Sequence, residues 1–568
     1  MQAFNILGKG TSGNTYDAIV VGSGITGGMA AKELTQAGLK VLVLERGRMV
    51  EHVKDYPTAQ TDPWDLPMRN LVSLEDRQDY EIQKTLYMFG QDTKHFLVKD
   101  SENPYHQDKP FMWYRGYQMG GRSLLWAKHC FRLSDYDFEA NLKDGIGIDW
   151  PIRYKDIAPW YDHVENYVGI SGNRDGLPQL PDGVFLPPFE MNAFEKHLKK
   201  KIKEKFAERD LIIGRMAVLT QEHNGRGKCR NRNLCHRGCI YGAAYSSNAA
   251  ALPDAAKTGN LTIRPFSIVE RLQYDAATNR ISGVSVIDTE TGEQVEYFAK
   301  VVFLNASTLG STQILMQSAT PEFPDGLANS SGVLGHYLMD HHAYIGAVGH
   351  YSGLKDSFYY GQRPASVYIP RFRNLGKNDQ DYIRGFSFEN YTSRTDWTRG
   401  FHQPGLGAGW KDGLSRPGEW SAYFEAYGET LPDFENKVSL SSDRKDKWGL
   451  PVLEISMEYG ENARKMRKDM QATAVEMLEA ADLEGVSPFG GEPVPGTVIH
   501  EMGTARMGRD PKTSVLNEWN QSHDIPNLFI TDGSCMVSSP PQNPSLTYMA
   551  LTARACNYAV EALKKGTI

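Results

Sequence analysis

Apolar positions along this chain follow two rhythms: short β-branched runs, and stretches in which they recur every three or four residues. The two alternate most clearly over residues 16–47. The run 18–21 is apolar and stops at Gly22, and Gly22, Gly24 and Gly27 form G-x-G-x-x-G. Met29, Ala30, Leu34 and Ala37 then recur at helical spacing up to Gly38. Residues 40–44 are strand-like again, with Glu45 at their end. The pattern predicts strand, glycine turn, helix, strand. Further strands are predicted over 261–269, 366–370, 419–427, 452–457 and 527–532, and over 283–304 with a hairpin turn at Thr291-Gly292. Helices are predicted over 154–167, 194–209, 311–318, 462–481 and 546–563. Residues 48–115, polar, aromatic and broken by prolines, read as an irregular excursion over a cofactor.

These elements divide the chain. The units at 16–47 and 301–318 and the C-terminal strand and helix make one α/β sheet. Residues 346–495 are rich in Tyr, Phe, Trp and Gly and read as a β-rich lobe able to cover a cofactor and shape a substrate pocket. At 568 residues the chain exceeds what one core usually holds, so two large lobes are expected. Charged residues are 23% and hydrophobic ones 40%, as in an ordinary soluble protein. A net charge of −7 gives no electrostatic case for nucleic acid. No apolar run approaches the ~20 residues that span a bilayer. Residues 1–15 lack the basic start and apolar core of a signal peptide, which on its own implies a cytoplasmic protein. Six cysteines are too few for a disulfide scaffold.

The glycine stretch carries the first chemistry. Gly22 permits a tight turn, Gly24 lets backbone approach a pyrophosphate, and Gly27 lets helix pack on strand. The helix N-terminus favours the anion, and Glu45 is placed to bond a ribose hydroxyl. Gly120-Gly121, followed by Arg122 and Ser123, brings backbone close to a flat ring or phosphate, or is a surface turn. Cys229, Cys235 and Cys239 make C-x5-C-x3-C among Gly, Asn and Arg. Such spacing suits an iron–sulfur cluster. A zinc site joined by His236, a disulfide, or unligated thiols are the alternatives. His341 and His342 with Asp340 invite a metal reading, but adjacent side chains point apart. His500 and Asn543 both fall in loops beside strand ends, where doubly wound folds place their sites.

Taken together, the N-terminal glycine loop, Gly120-Gly121, NASTLGSTQIL (305–315), GHYLMDHH (335–342), ENKVSLSSDRKDKWGLP (435–451), HEMGTARMG (500–508) and NLFITDG…QNPSLT resemble the glucose–methanol–choline (GMC) oxidoreductases, in family order along nearly the whole chain. The resemblance implies an α/β fold with a Rossmann-like FAD-binding lobe, a β-rich substrate lobe and flanking helices. It implies an FAD-binding domain built from 14–120, 240–345 and 496–568. A substrate domain follows from 121–239 and 346–495, with an N-terminal extension at 1–13. The implied FAD contacts are Gly22, Gly24, Ile25, Thr26, Gly27, Glu45 and Arg46, then Gly120, Gly121 and Ser123, then Asp532, Gly533, Asn543, Pro544 and Ser545. In the family the residue at His500 takes the hydroxyl proton of an alcohol, the one at Asn543 holds the same oxygen, and hydride passes to the flavin.

The HEMGTARMG and NPSLT wording is most similar to pyranose oxidases and bacterial sugar dehydrogenases. The cysteine triplet resembles that of the large catalytic subunits of glucoside 3-dehydrogenases, glucose dehydrogenases and fructose dehydrogenases. There it holds a [3Fe-4S] cluster that passes electrons toward a cytochrome c. The resemblance implies a small subunit carrying the export signal, and hence a periplasmic location by co-export. Two departures stand out. Leu125 occupies the place where some members attach FAD through a histidine, so a non-covalent, dissociable FAD is expected. Arg122-Ser123 replaces the commoner small pair and is expected to alter flavin contacts. The function implied is oxidation of a secondary ring hydroxyl, C3 of a glucoside ahead of the others. The alternatives are oxidation of free glucose at C1, a pyranose oxidase using O2, and a flavoprotein scaffold whose Cys loop binds zinc or forms a disulfide.

Overall fold

The computed structural model describes residues 4–7, 15–62, 64–357, 364, 366–396, 399–400 and 403–568. Apart from 4–7, the expected N-terminal extension lies outside the described residues. β1 (Thr15–Val21) and β2 (Val41–Leu44) are parallel, in register from Ala18↔Val41 to Val21↔Leu44, and are joined by α1 (Ile25–Gln36). Both strands are buried where they pair, which is why they read as unbroken apolar runs rather than alternating ones. β3 (Leu261–Arg264) extends the sheet parallel to β2. The continuous strand predicted over 261–269 is broken here. Pro265 offers no ladder N–H and Phe266 takes φ 54°, so the chain turns before β4 (Ser267–Asp275). β4 and β5 (Arg280–Asp288) form an antiparallel hairpin. β6 (Gln294–Leu304) leaves β5 and runs parallel to β1, then turns into α2 (Thr308–Gln317).

The second sheet is antiparallel. Its centre is β7 (Gly346–Tyr351), β8 (Phe386–Arg394) and β9 (Trp420–Gly428), with β9 between the other two. The strict period of two sorts its side chains. Phe386, Phe388, Ala422, Phe424 and Ala426 enter a core completed by Met466, Met470 and Met477 of α3 (Glu461–Ala480). On the other face, Glu389, Tyr391, Tyr423, Glu425 and Tyr427 meet a cavity shared with the first sheet.

After α3 the chain returns to the first sheet. β10 (Leu528–Ile530) pairs parallel with the end of β6, and α4 (Ser545–Lys565) packs on α1. Four parallel strands thus end together, since Val21 is level with Leu44 and Leu304, and Leu304 with Ile530. Their following loops supply Gly22, Glu45, Asn305 and Asp532 to one rim, the place where open α/β sheets hold ligands. Among the described residues no helix is long and apolar enough to cross a membrane.

Candidate active site

A cavity of about 710 Å³ opens at these strand ends and runs to the tyrosine face of the second sheet. Gly22, Gly24, Ile25, Thr26, Glu45 and Arg46 line one end. α1 starts at Gly24 without a side-chain cap, so its first-turn N–H groups are open to an anion. A Cβ on Gly24 would meet nothing within 4 Å, leaving room for a ligand against the backbone. Glu45 accepts from Ser23 Oγ at 2.5 Å and Gly47 N at 3.0 Å, which aims its carboxylate at the rim. Arg46 stacks over Tyr117 at 4.0 Å. Gly27 and Gly120 stand behind the wall. A Cβ on Gly27 would run into the Gly22 carbonyl oxygen, and one on Gly120 into Asn248 Oδ1. Their smallness therefore serves packing.

Gly121, Ser123, Asp532, Gly533, Pro544 and Ser545 line the cavity. Asp532 accepts from Ser534 Oγ at 2.6 Å and Ser311 Oγ at 2.5 Å, tying the loop after β10 to α2. Asn543 meets the cavity at the start of α4, and its Oδ1, like Asn305 Oδ1, is buried without a partner among the described residues. Buried amide oxygens without partners are costly, and a polar ligand removes that cost. Leu125 also lines the cavity, and a leucine side chain offers no atom for a covalent flavin link.

His500 is half-buried and opens into the same cavity as Asn543. The segment 335–342 holds it. Asp340 accepts from the backbone N–H groups of His500 at 3.0 Å and Gly496 at 2.8 Å. Burial and then neighbouring Glu501 push the Asp340 carboxyl up to about 7. His341 Nδ1 lies 2.9 Å from His500 Nδ1, and His341 Nε2 lies 2.7 Å from the Pro540 carbonyl oxygen. His342 turns away, toward the Glu429 carbonyl. The two adjacent histidines therefore serve different neighbours. Burial, and after it the charges of His341, Arg122 and His129, hold His500 well below the usual histidine range, so the ring is neutral.

Arg122 points into the site but is already engaged, its guanidinium making a two-pronged pair with Glu501 at 3.0 and 2.9 Å. In the sequence Arg122 stands out beside the Gly-Gly pair and as a departure, and Asp340 as part of a metal reading, while neither Glu389 nor Glu425 is singled out. The alternation of Glu and Tyr in 387–391 and 423–427 was the available signal.

Of the three cysteines, only Cys235 lines the cavity, beside Asn233, His236 and Lys128. Burial, an Asn231 N–H and the other two sulfurs together set the Cys229 thiol at about 11. Lys128 is buried, its Nζ has no hydrogen-bond partner, and the Cys235 and Cys239 sulfurs are the charges that act on it. An amine beside these sulfurs would balance the negative charge of a cluster bound to them. Yet among the described residues no three His, Cys, Asp or Glu side chains are gathered to hold a metal ion. The three cysteines form no single-ion site, and no disulfide joins them.

Family models described as GMC oxidoreductase match residues 16–343 and 432–552. The chain belongs to the GMC oxidoreductase family. The 2-methyl-1,2-propanediol dehydrogenase of Mycolicibacterium austroafricanum is 30% identical, covering 96% of each chain. The fructose dehydrogenase large subunit of Gluconobacter japonicus is 26% identical over 97% of this chain and 98% of its own. A formate oxidase of Aspergillus oryzae shares the fold, with a TM-score of 0.63, 14% identity, and coverage of 98% of this chain and 100% of that one. GMC enzymes are FAD-dependent oxidoreductases of CH–OH groups. The uncapped α1 terminus, the open space at Gly24 and the two unpartnered asparagine oxygens fit that cofactor.

Proposed function

We propose that this GMC protein is an FAD-dependent sugar dehydrogenase that oxidises a secondary ring hydroxyl of a pyranoside to a ketone, C3 of glucosides being the leading case. The observation that carries the reading is His500, whose neutral ring shares one cavity with Asn543 and the dinucleotide cradle. The relation to a fructose dehydrogenase large subunit supports a sugar as the substrate. FAD held by Gly22, Gly24, Ile25, Thr26, Glu45 and Arg46, with Gly121, Ser123, Asp532 and Gly533, would accept the hydride.

The remaining chemistry belongs to the chain. His500 Nε2 takes the hydroxyl proton while the C–H bond gives up its electron pair as hydride, so one alcohol becomes one ketone. Asn543 donates to the same oxygen as negative charge develops there. Burial keeps His500 deprotonated and ready before substrate arrives.

Three further parts belong to this reading. The FAD-binding domain comprises 14–120, 240–345 and 496–568, and the substrate domain 121–239 and 346–495. Cys229, Cys235 and Cys239 hold a [3Fe-4S] cluster that delivers electrons to a cytochrome c. This part rests on the C-x5-C-x3-C spacing, and no step above depends on it. A small subunit carries the export signal to the periplasm, supported by the large-subunit relative.

Anaerobic flavin bleaching by methyl glucoside beside free glucose tests the core claim. Methyl glucoside has its anomeric oxygen capped and cannot give a lactone. Bleaching by both supports attack on a ring carbon. Bleaching by glucose alone makes the protein a C1 dehydrogenase and overturns the C3 assignment.

A further inference from the structure

The face of β8 and β9 that meets the cavity carries an unusual pair. The antiparallel register sets Glu389 directly opposite Glu425, and Tyr391 directly opposite Tyr423. Like charges at directly opposed positions repel and destabilise a sheet. Both glutamates are buried, which strengthens that repulsion. Among the described residues neither has a lysine or arginine partner. Glu389 meets His129 Nδ1 at 2.8 Å and the Tyr391 hydroxyl at 3.3 Å. Among the described residues Glu425 accepts only the Tyr344 backbone N–H, at 3.0 Å. Burial and then Glu389 push the Glu425 carboxyl up to about 7, and the one basic contact of the pair, His129, reaches Glu389 alone.

Apart from His129, the arginines and lysine lining the cavity face other groups. Arg122 pairs with Glu501, Arg115 with Asp100, Arg46 stacks on Tyr117, and Lys128 answers to the cysteine sulfurs. The carboxylates are instead framed by Tyr344, Tyr391, Tyr423 and Tyr427, whose ring faces favour a cation. Tyr427 also lies 6.5 Å, ring to ring, from His500, so this acidic patch adjoins the reacting end of the cavity.

We propose that Glu389 and Glu425, within their tyrosine frame, select an alcohol that also bears a protonated amine, an amino sugar, and hold its ammonium group while His500 works on a nearby hydroxyl. The inference rests on the dehydrogenase reading and names the substrate class for that same site. A neutral polyol could bond to these carboxylates, but it would leave their mutual repulsion in place. An ammonium group removes it and binds both.

The test is anaerobic flavin reduction of the holoenzyme at pH 7 by three methyl glycosides: glucoside, 2-amino-2-deoxyglucoside and its N-acetyl form. Acetylation removes the charge and leaves the ring hydroxyls. The amine is expected to exceed both neutral sugars in kcat/KM by about tenfold or more. The Glu425→Gln and Glu389→Gln variants are expected to reduce the ratio of amine to N-acetyl rates toward one. A wild-type ratio at or below one overturns the inference while the dehydrogenase reading stands, and needs no variant to fold. A wild-type preference that persists in both glutamine variants also overturns it, by placing recognition elsewhere. Flavin reduction by none of the three overturns the dehydrogenase reading and the inference together.

Discussion

His341 fixes the tautomer of His500. The Pro540 carbonyl can only accept, so His341 Nε2 carries the proton in their 2.7 Å bond and His341 Nδ1 is left as an acceptor. His500 Nδ1, 2.9 Å away, must then be the donor. The lone pair of a neutral His500 therefore sits on Nε2, the atom left free of that pairing. One backbone carbonyl, two residues removed along a chain of hydrogen bonds, thus decides which nitrogen of His500 can accept a proton.

His341→Ala should leave FAD bound and slow anaerobic flavin reduction about tenfold to a hundredfold, part of the ~10²–10⁴ a positioned base contributes. His500 is active when deprotonated, so activity falls as pH drops through its pKa. Burial and His341 hold that pKa low, so the wild-type acid limb should lie below the usual histidine value of 6.5. Removing His341 admits water and should move the limb upward. His341→Asn, which restores an acceptor near Nδ1, should recover part of the rate. An unmoved limb in the alanine variant would show that His341 only fills space.

Asn543→Ala should cost about 10²–10³ in flavin reduction, the usual loss when one donor to a developing oxyanion is removed. Flavin absorbance of the purified variant, measured first, separates this from simple loss of cofactor. A variant that holds FAD and turns over normally would remove Asn543 from the mechanism.

The glycines at the α1 turn should behave oppositely. Gly24→Ala places its methyl in open space, so the fold and melting temperature should hold while FAD affinity falls. Gly27→Ala drives a methyl into the Gly22 carbonyl and should destabilise the protein by about 1–3 kcal/mol even as apoprotein. Thermal melts with and without added FAD distinguish the two.

Iron and acid-labile sulfide should both be found with the purified protein. Cys229→Ser, whose side chain lies off the cavity wall, should then lower the iron content and slow reduction of cytochrome c while sugar still bleaches the flavin. Zinc in place of iron would sink the electron-transfer part of the proposal.

The parts of this structure legible in the sequence are those written in local spacing. Three glycines and two apolar runs foretold β1, α1 and β2 because a turn, a helix start and a buried strand each constrain neighbours within a few residues. His500 and Asn543 were traceable because each falls in a loop beside β10. What escaped was set by distance along the chain. His341 reaches His500 across 159 positions, and its place beside another histidine suggested only a metal reading that adjacent side chains argue against. The opposition of Glu389 and Glu425 exists only once β8 and β9 take their register. The break at Pro265 was missed because apolar residues continue on both sides of it.

The position of β10 also bears on how the protein is made. β6 pairs with β1 on one side and with β10 on the other, and these two neighbours come from opposite parts of the sequence. His500 and Asn543 flank β10, and α4 closes over α1. The rim at Gly22 is therefore complete only once β10 and its flanking loops have joined the sheet. Assembly waits on contacts that span most of the sequence, which makes folding slow and leaves time for a chaperone or a second polypeptide to engage the chain first.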